Sequence, residues 1–307
     1  KKASTLATDK SNINRHIKPA LGTHAVRQIA QADVERFQRA VARGLTKADV
    51  KTKKRGRAIV RGGQGAAARA VAVLGAIFAY AQKSRMRADN PVRGVRLFQP
   101  EKRERFLSAD EFAALGTALN TAEKQGVNVK AINAIRLLAL TGCRKAEILN
   151  LKWEYVDSHH KCLRLPDSKT GAKVVPLGQA AFKLLSKVKP VQDNPFVFAG
   201  TDGKHFVGLQ KIWTYIRSKA GLDGVRLHDL RHSFASVGVA DGLSLPIIGK
   251  VLGHTQTRTT QRYAHLGDDP VREAVNSVAK SVNQALSRKP KNSIKRGVGH
   301  SRCSAAA

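Results

Sequence analysis

At 307 residues the chain can form one large domain or two ordinary ones. A hydrophobic share of 42% allows a sizeable core and excludes wholesale disorder, while 55 Lys and Arg against 22 Asp and Glu leave a net charge of +33 that calls for a polyanionic partner. Three widely spaced cysteines exclude a disulfide framework and favour a reducing, cytoplasmic interior; no run approaches the roughly 20 apolar residues of a membrane helix, and 5% aromatic content argues against single-strand binding by base stacking.

Residues 8–44 read as helical, with apolar residues at helical intervals and an Asp near a helix start. Residues 46–65 carry many cations and several glycines with little apolar periodicity. They read as a flexible loop that faces phosphates, through Lys51, Lys53, Lys54, Arg55, Arg57 and Arg61. Dense Ala, Val, Leu, Ile and Phe over 66–83 suit a buried helix, which Asn90-Pro91 closes off. The chain therefore divides into a helical domain over 1–97, a linker over 98–105, a second domain over 106–287 and a basic tail over 288–307, expected to be disordered. The first residue, Lys1, leaves room for an upstream segment.

In the second domain Ser108 and Glu111 fit a capping box that opens a helix over 111–119. Helices follow over 130–141, with Gly142 behind, and over 145–151. Two short β-rich runs, 162–166 and 173–177, flank a turn through Ser168-Lys169-Thr170-Gly171 and predict a hairpin. Further helices are expected over 180–187, 209–220, 230–240, 246–252 and 270–286. The fold class is mainly α with a small β-hairpin, α+β.

Four pieces carry chemistry: Gly142-Cys-Arg144-Lys-Ala-Glu147, Lys169 in the hairpin turn, His228-Asp-Leu-Arg231-His232, and Leu252-Gly-His254 with Tyr263 nine residues on. Singly each is ordinary. Arg144 is a surface cation, Tyr263 a half-buried core residue, and His228 with His232 a metal pair that lacks a third ligand. Together they suit cleavage of a phosphodiester by a side-chain hydroxyl. Two arginines clamp phosphate oxygens, histidines titrate near neutrality, and a lysine on a hairpin tip protonates the leaving oxygen. No acidic cluster for two magnesium ions is evident, which disfavours a metal-dependent nuclease.

In these boxes, in this order, the chain resembles the tyrosine recombinase (phage integrase) family over about half its length, 108–266, with Thr259-Thr-Gln-Arg-Tyr263-Ala-His265 as the tyrosine segment. The N-terminal half is similar in outline to that family's helical core-binding domain. The resemblance implies that Tyr263 attacks the scissile phosphate, giving a 3′-phosphotyrosyl link. Arg144 and Arg231 would clamp the non-bridging oxygens, and Lys169, preferred over Lys173, would act as general acid. His228 would be the base, His254 would bond the phosphate, and Glu147 would orient Arg144. It also implies no cofactor, double-stranded DNA as partner, a homotetramer on DNA, and accessory DNA-bending or directionality proteins, in a bacterial or phage-encoded enzyme of the nucleoid. By the same resemblance 270–286 is the segment passed to a neighbouring protomer. Rival expectations are a type IB topoisomerase, a catalytically inactive DNA-binding relative and an RNA-binding protein. The charge accounts for the last, but the ordered boxes do not.

Overall fold

The computed structural model describes residues 1–53, 56–99, 104–168, 171–266 and 268–286. Two compact units, Lys1–Arg103 and Glu104–Ala307, make up the chain.

The first unit opens with α1 (Ala3–Asn12), a π-helical turn (Ile13–Ile17) and α2 (Lys18–Leu21), then α3 (Gln31–Arg43). The helical stretch expected over 8–44 is thus broken at 22–30. A fresh helix begins at Gln31 because the Asp33 carboxylate accepts the Ala30 backbone N–H at 2.8 Å, which satisfies one of the orphan donors of a helix start. The loop expected over 46–65 is a correction. Strands β1 (Ala48–Lys53) and β2 (Gly56–Val60) pair antiparallel, Ala48 with Val60 and Val50 with Ala58. Val50, Ile59 and Val60 supply the strand preference that the surrounding cations mask. Arg57 Nε donates to Asp49 Oδ1 at 2.7 Å across the pair. Lys54 and Arg55 lie outside the described residues.

Helix α4 (Gln64–Lys83) follows and buries Ala67, Ala70, Val71, Leu74 and Phe78 against Val34, Phe37 and Val41 of α3. Against the expectation from sequence, α4 is long and apolar enough to cross a membrane by length and composition. Its inward face is nevertheless a packed core stripe. Tyr80 on this helix faces outward and is 66% exposed.

In the second unit α5 (Ala109–Lys124) starts at the expected capping box: Glu111 N–H donates to Ser108 Oγ at 3.2 Å, and Ser108 N–H to Glu111 Oε2 at 3.0 Å. Next come α6 (Val129–Thr141), α7 (Lys145–Leu149), a 3-10 turn (Trp153–Tyr155) and a sheet of order β3-β4-β5 (Val156–Asp157, Cys162–Ser168, Gly171–Pro176). Then follow α8 (Gln179–Ser186), α9 (Leu209–Lys219), α10 (Leu227–Ala240), α11 (Leu245–Leu252), α12 (Thr257–Thr260), a 3-10 segment (Gln261–Leu266) and α13 (Asp268–Leu286). Ile132, Ile135, Leu138, Leu163, Phe198 and Trp213 centre the main core. A second, smaller cluster gathers Ala235, Val239, Ile248, Leu252 and Tyr263. The architecture is mainly helical with small antiparallel sheets, α+β. Helix α5 runs on to Lys124 rather than ending at 119, and two further elements exceed the sequence expectation. Helix α10 starts at Leu227 and so includes His228, and the tyrosine segment is itself helical. The tail 288–307 lies outside the described residues.

Candidate active site

Each box of the sequence folds for a local reason, and the reasons converge on one place. Helix α6 ends at Gly142, whose φ of +60° belongs to the left-handed cap that favours glycine. A Cβ there would lie 2.7 Å from Phe234 Cδ1 and 2.9 Å from Leu252 Cδ2, so glycine is also required by close approach. The chain then turns directly into α7 with Arg144 as its N-cap residue. Helix α11 ends in the same way at Gly253, φ +69°, where a Cβ would meet Lys173 Cδ at 2.9 Å. The two glycines therefore let two helix ends close on one another and present Arg144 and His254 side by side.

Arg231 locks this junction. Its side chain is buried, and it donates from Nη1 to the Gly142 carbonyl and from Nη2 to the Leu252 carbonyl, each at 2.7 Å. Both acceptors lie at helix C-termini, where unpaired carbonyls gather negative charge. Burial lowers the Arg231 pKa and the neighbouring Arg144 adds to the effect, but a guanidinium starts so high that it stays charged.

Glu147 couples the remaining cations. Its carboxylate accepts the Arg144 backbone N–H at 2.9 Å, Arg144 Nη1 at 2.8 Å and Lys173 Nζ at 2.8 Å. Burial alone would push this carboxyl up, yet Lys173, the Arg144 backbone and the Arg144 side chain together hold it below the ordinary value. Lys173 belongs to β5, opposite Leu165, on the face that buries Val175, so it points inward. Lys169 lies outside the described residues. Among the described residues Lys173 is the hairpin lysine that meets Glu147, the carboxylate paired with Arg144, and strand alternation from Val175 is the signal that could have found it.

The histidines are arranged by α10 and the α11 terminus. His254 Nδ1 pairs with Thr260 Oγ1 at 2.9 Å. Burial, then the cations of Arg231, Arg144, Lys173 and Arg262, lower its pKa to about 4. Apart from burial, four cations face His254, and Glu147, an anion among them, is paired to two of these, a balance that suits a phosphate receptor. Burial and Arg231 also lower the pKa of His228. Tyr263 is 1% exposed, packed edge-on to Phe106 with ring centroids 6.2 Å apart. Burial raises its phenol pKa, and Arg262 and Arg231 work against that rise. The hydroxyl's partner is His232 Nδ1 at 2.7 Å, not the His228 to which the family resemblance gives the base's role. The spacing of His228 and His232, one helical turn apart, is the visible signal of a shared face. No group of three or more His, Cys, Asp or Glu able to hold a metal occurs among the described residues.

The structure thus brings together Arg144, Glu147, His228, Arg231, His254 and Tyr263, and adds Lys173 and His232. Lys51, Arg57 and Arg61 lie in or beside the hairpin of the other unit and are exposed. Lys53 ends its first strand.

Residues 105–269 match the family described as Phage integrase family, and residues 2–41 the Phage integrase, N-terminal SAM-like domain. The chain is 26% identical over 216 residues to the tyrosine recombinase XerD of Neisseria meningitidis serogroup B, covering 66% of this chain and 72% of the relative. It is 27% identical over 259 residues to a tyrosine recombinase of Thermosipho africanus, covering 81% and 85%. The crystal structure of a lambda integrase dimer bound to a COC′ core site matches with a TM-score of 0.65 at 20% identity, over 84% of this chain and 90% of that one.

Proposed function

Since the chain belongs to the phage integrase family, the tyrosine site-specific recombinases, we propose that it cuts and rejoins duplex DNA at a specific site through a 3′-phosphotyrosyl intermediate on Tyr263. The observation that carries the reading is the meeting of Arg144, Arg231 and Lys173 around His254, with one carboxylate, Glu147, among three cations. Such a surplus receives a phosphodiester and stabilises the charge that builds on its non-bridging oxygens. Arg144 and Arg231 clamp those oxygens, since a planar guanidinium binds phosphate through two parallel hydrogen bonds. His228 and His254, kept neutral, donate or accept hydrogen bonds at the same phosphate. Lys169 delivers the proton to the leaving 5′-oxygen. The covalent link conserves the phosphoester bond energy, so rejoining requires neither nucleotide nor metal.

The partner is double-stranded DNA, which the net charge of +33 favours through release of phosphate counterions. The hairpin cations Lys51, Arg57 and Arg61, with their neighbours in sequence, contact backbone phosphates and position without specifying. The assembly is a homotetramer on DNA. Val275, Val278, Val282 and Leu286 on α13 form an exposed apolar stripe at helical spacing, suited to a neighbouring protomer. The reaction integrates or excises a mobile element, a reading supported by the likeness in fold to lambda integrase.

The test is covalent trapping on a nicked suicide duplex. A 3′-linked adduct that survives denaturing electrophoresis and vanishes in Tyr263→Phe is expected. Duplex binding with no adduct on the duplex that the element's own ends define would overturn the reading.

A further inference from the structure

The hydroxyl of Tyr263 has a partner that plays no part in the roles above. His232 Nδ1 stands 2.7 Å from Tyr263 Oη, and the two residues are 7% and 1% exposed. Helix α10 places His232 one residue after Arg231 and one turn after His228, whose ring meets it edge-on with centroids 4.8 Å apart. The tyrosine ring is held from other directions, edge-on by Phe106 and over its face by the Arg262 guanidinium, 5.9 Å from the centroid. These contacts position the ring, and His232 alone among the described residues hydrogen-bonds the oxygen that reacts.

A phenol that attacks phosphorus has to shed its proton as the new bond forms. We propose that His232, rather than His228, takes the proton of Tyr263, an assignment that rests on the recombinase reading given above. During cleavage the Tyr263 Oη–phosphorus bond forms while the phenolic O–H bond breaks and its proton passes to His232 Nδ1. The phosphorus–5′-oxygen bond breaks in the same step, and the leaving oxygen receives a proton from the general acid. Rejoining runs this in reverse: the attacking 5′-hydroxyl gives its proton to the acid's conjugate base, and the imidazolium reprotonates the departing phenolate. One proton enters and one leaves in each direction, and no further reactant is needed.

The resting electrostatics explain why the proton stays on the phenol until DNA arrives. Burial, then Arg262 and His228, lower the His232 pKa to about 4, with Asp229 opposing and Arg231 adding a little. The groups that face the imidazole are therefore His228, Asp229 and Arg231 on its own helix, and Arg262 and Tyr263 on the tyrosine segment. A phosphodiester docked beside Tyr263 is an anion next to the imidazole, and an opposite charge at close range raises its basicity when the substrate is present. His228, whose residue is exposed where His232 is buried, is then free to bond the phosphate.

The experiment is single-turnover cleavage between pH 6 and 9 on the nicked duplex that traps the wild-type adduct, with Tyr263→Phe as the zero. His232→Ala is expected to cleave about 10²–10⁴-fold more slowly, the usual contribution of a general base. Its rate should climb with pH, as hydroxide replaces the lost acceptor, and recover in part with added imidazole. His232→Gln can still bond the phenol but cannot carry its proton, so it should be as slow as the alanine variant. Matching melting temperatures and duplex affinities confine the effect to the chemistry, and if the alanine variant unfolds the glutamine variant carries the comparison. A glutamine variant with wild-type rate and pH profile would reduce His232 to a hydrogen-bonding prop and overturn the proposal. Absence of an adduct with the wild-type protein overturns instead the recombinase reading beneath it.

Discussion

Replacing Glu147 by Gln tests whether the site is held by charge or merely by packing. The Glu147 and Lys173 side chains are 4% and 9% exposed, and Arg144 is 19% exposed, so the three groups share little solvent. The amide keeps the shape and one acceptor but withdraws the charge that two cations share. Breaking a buried ion pair by removing one partner costs about 3–5 kcal/mol, because the other is left uncompensated. We expect about 3 kcal/mol from Glu147→Gln, since the amide oxygen retains one of the hydrogen bonds that the carboxylate accepts. Lys173→Met should cost a similar amount, leaving Arg144 as the carboxylate's sole charged partner. The double variant should cost clearly less than the two singles together, with a coupling of about 1–3 kcal/mol. The loss is read from urea unfolding at pH 7 and repeated toward acid. Because the native carboxyl lies below its ordinary value of 4.5, its stabilisation is full above that pH and fades as pH falls through the native pKa. The gap between wild type and variant should therefore close in acid. Additive costs, or a gap that persists at low pH, would refute the network as an electrostatic unit.

Three further outcomes follow from the geometry. Gly142→Ala forces a side chain into left-handed backbone and against Phe234 and Leu252, so it should cost more than the roughly 1–3 kcal/mol of backbone strain alone and depress DNA cleavage along with melting temperature. His254 should gain at least one pKa unit when a short duplex binds, because an anion offsets the cations that, after burial, hold it near 4; an NMR titration showing no change would place the phosphate elsewhere. Charge reversal of Lys51 and Arg61 should weaken binding to every sequence and flatten the salt dependence by about 0.9 log unit for each phosphate no longer neutralised, whereas Arg57, already paired with Asp49, should matter less.

The sequence boxes of the candidate site are legible because their spacing encodes architecture as well as residue type. Gly142 permits a sharp helix end, Arg144 follows it immediately, and Glu147 lies one turn on, within reach of its guanidinium. What escapes the sequence is pairing across distance. Nothing local in Lys173 announces Glu147, 26 residues away, until the strand register turns the lysine inward. The bond from His232 to Tyr263 spans 31 residues and depends on the tyrosine segment folding back as helix. The hairpin over 48–60 is masked for a different reason. Its cations dominate composition, while the β-branched residues that make the strands are few.

The same bonds explain why the boxes occur as short runs of residues and not as lone reactive ones. Arg231 commits two donors to the carbonyls of Gly142 and Leu252, and so ties together the helix ends that carry Arg144 and His254. Leu252 itself is fully buried beside Tyr263 in the smaller cluster. Gly253 admits the stem of Lys173, whose ammonium meets Glu147. A residue needed for chemistry is thus flanked by one needed for its approach. Loss of the neighbour would displace the reactive group as surely as its own replacement. Arg231 accordingly serves two ends. Part of its fork is bonded to the protein before any phosphate arrives, and what remains of its donors is aimed by that bond. A lysine there would keep the charge, yet a single ammonium cannot reproduce two diverging bonds to carbonyls on separate helices and still offer a planar face to phosphate.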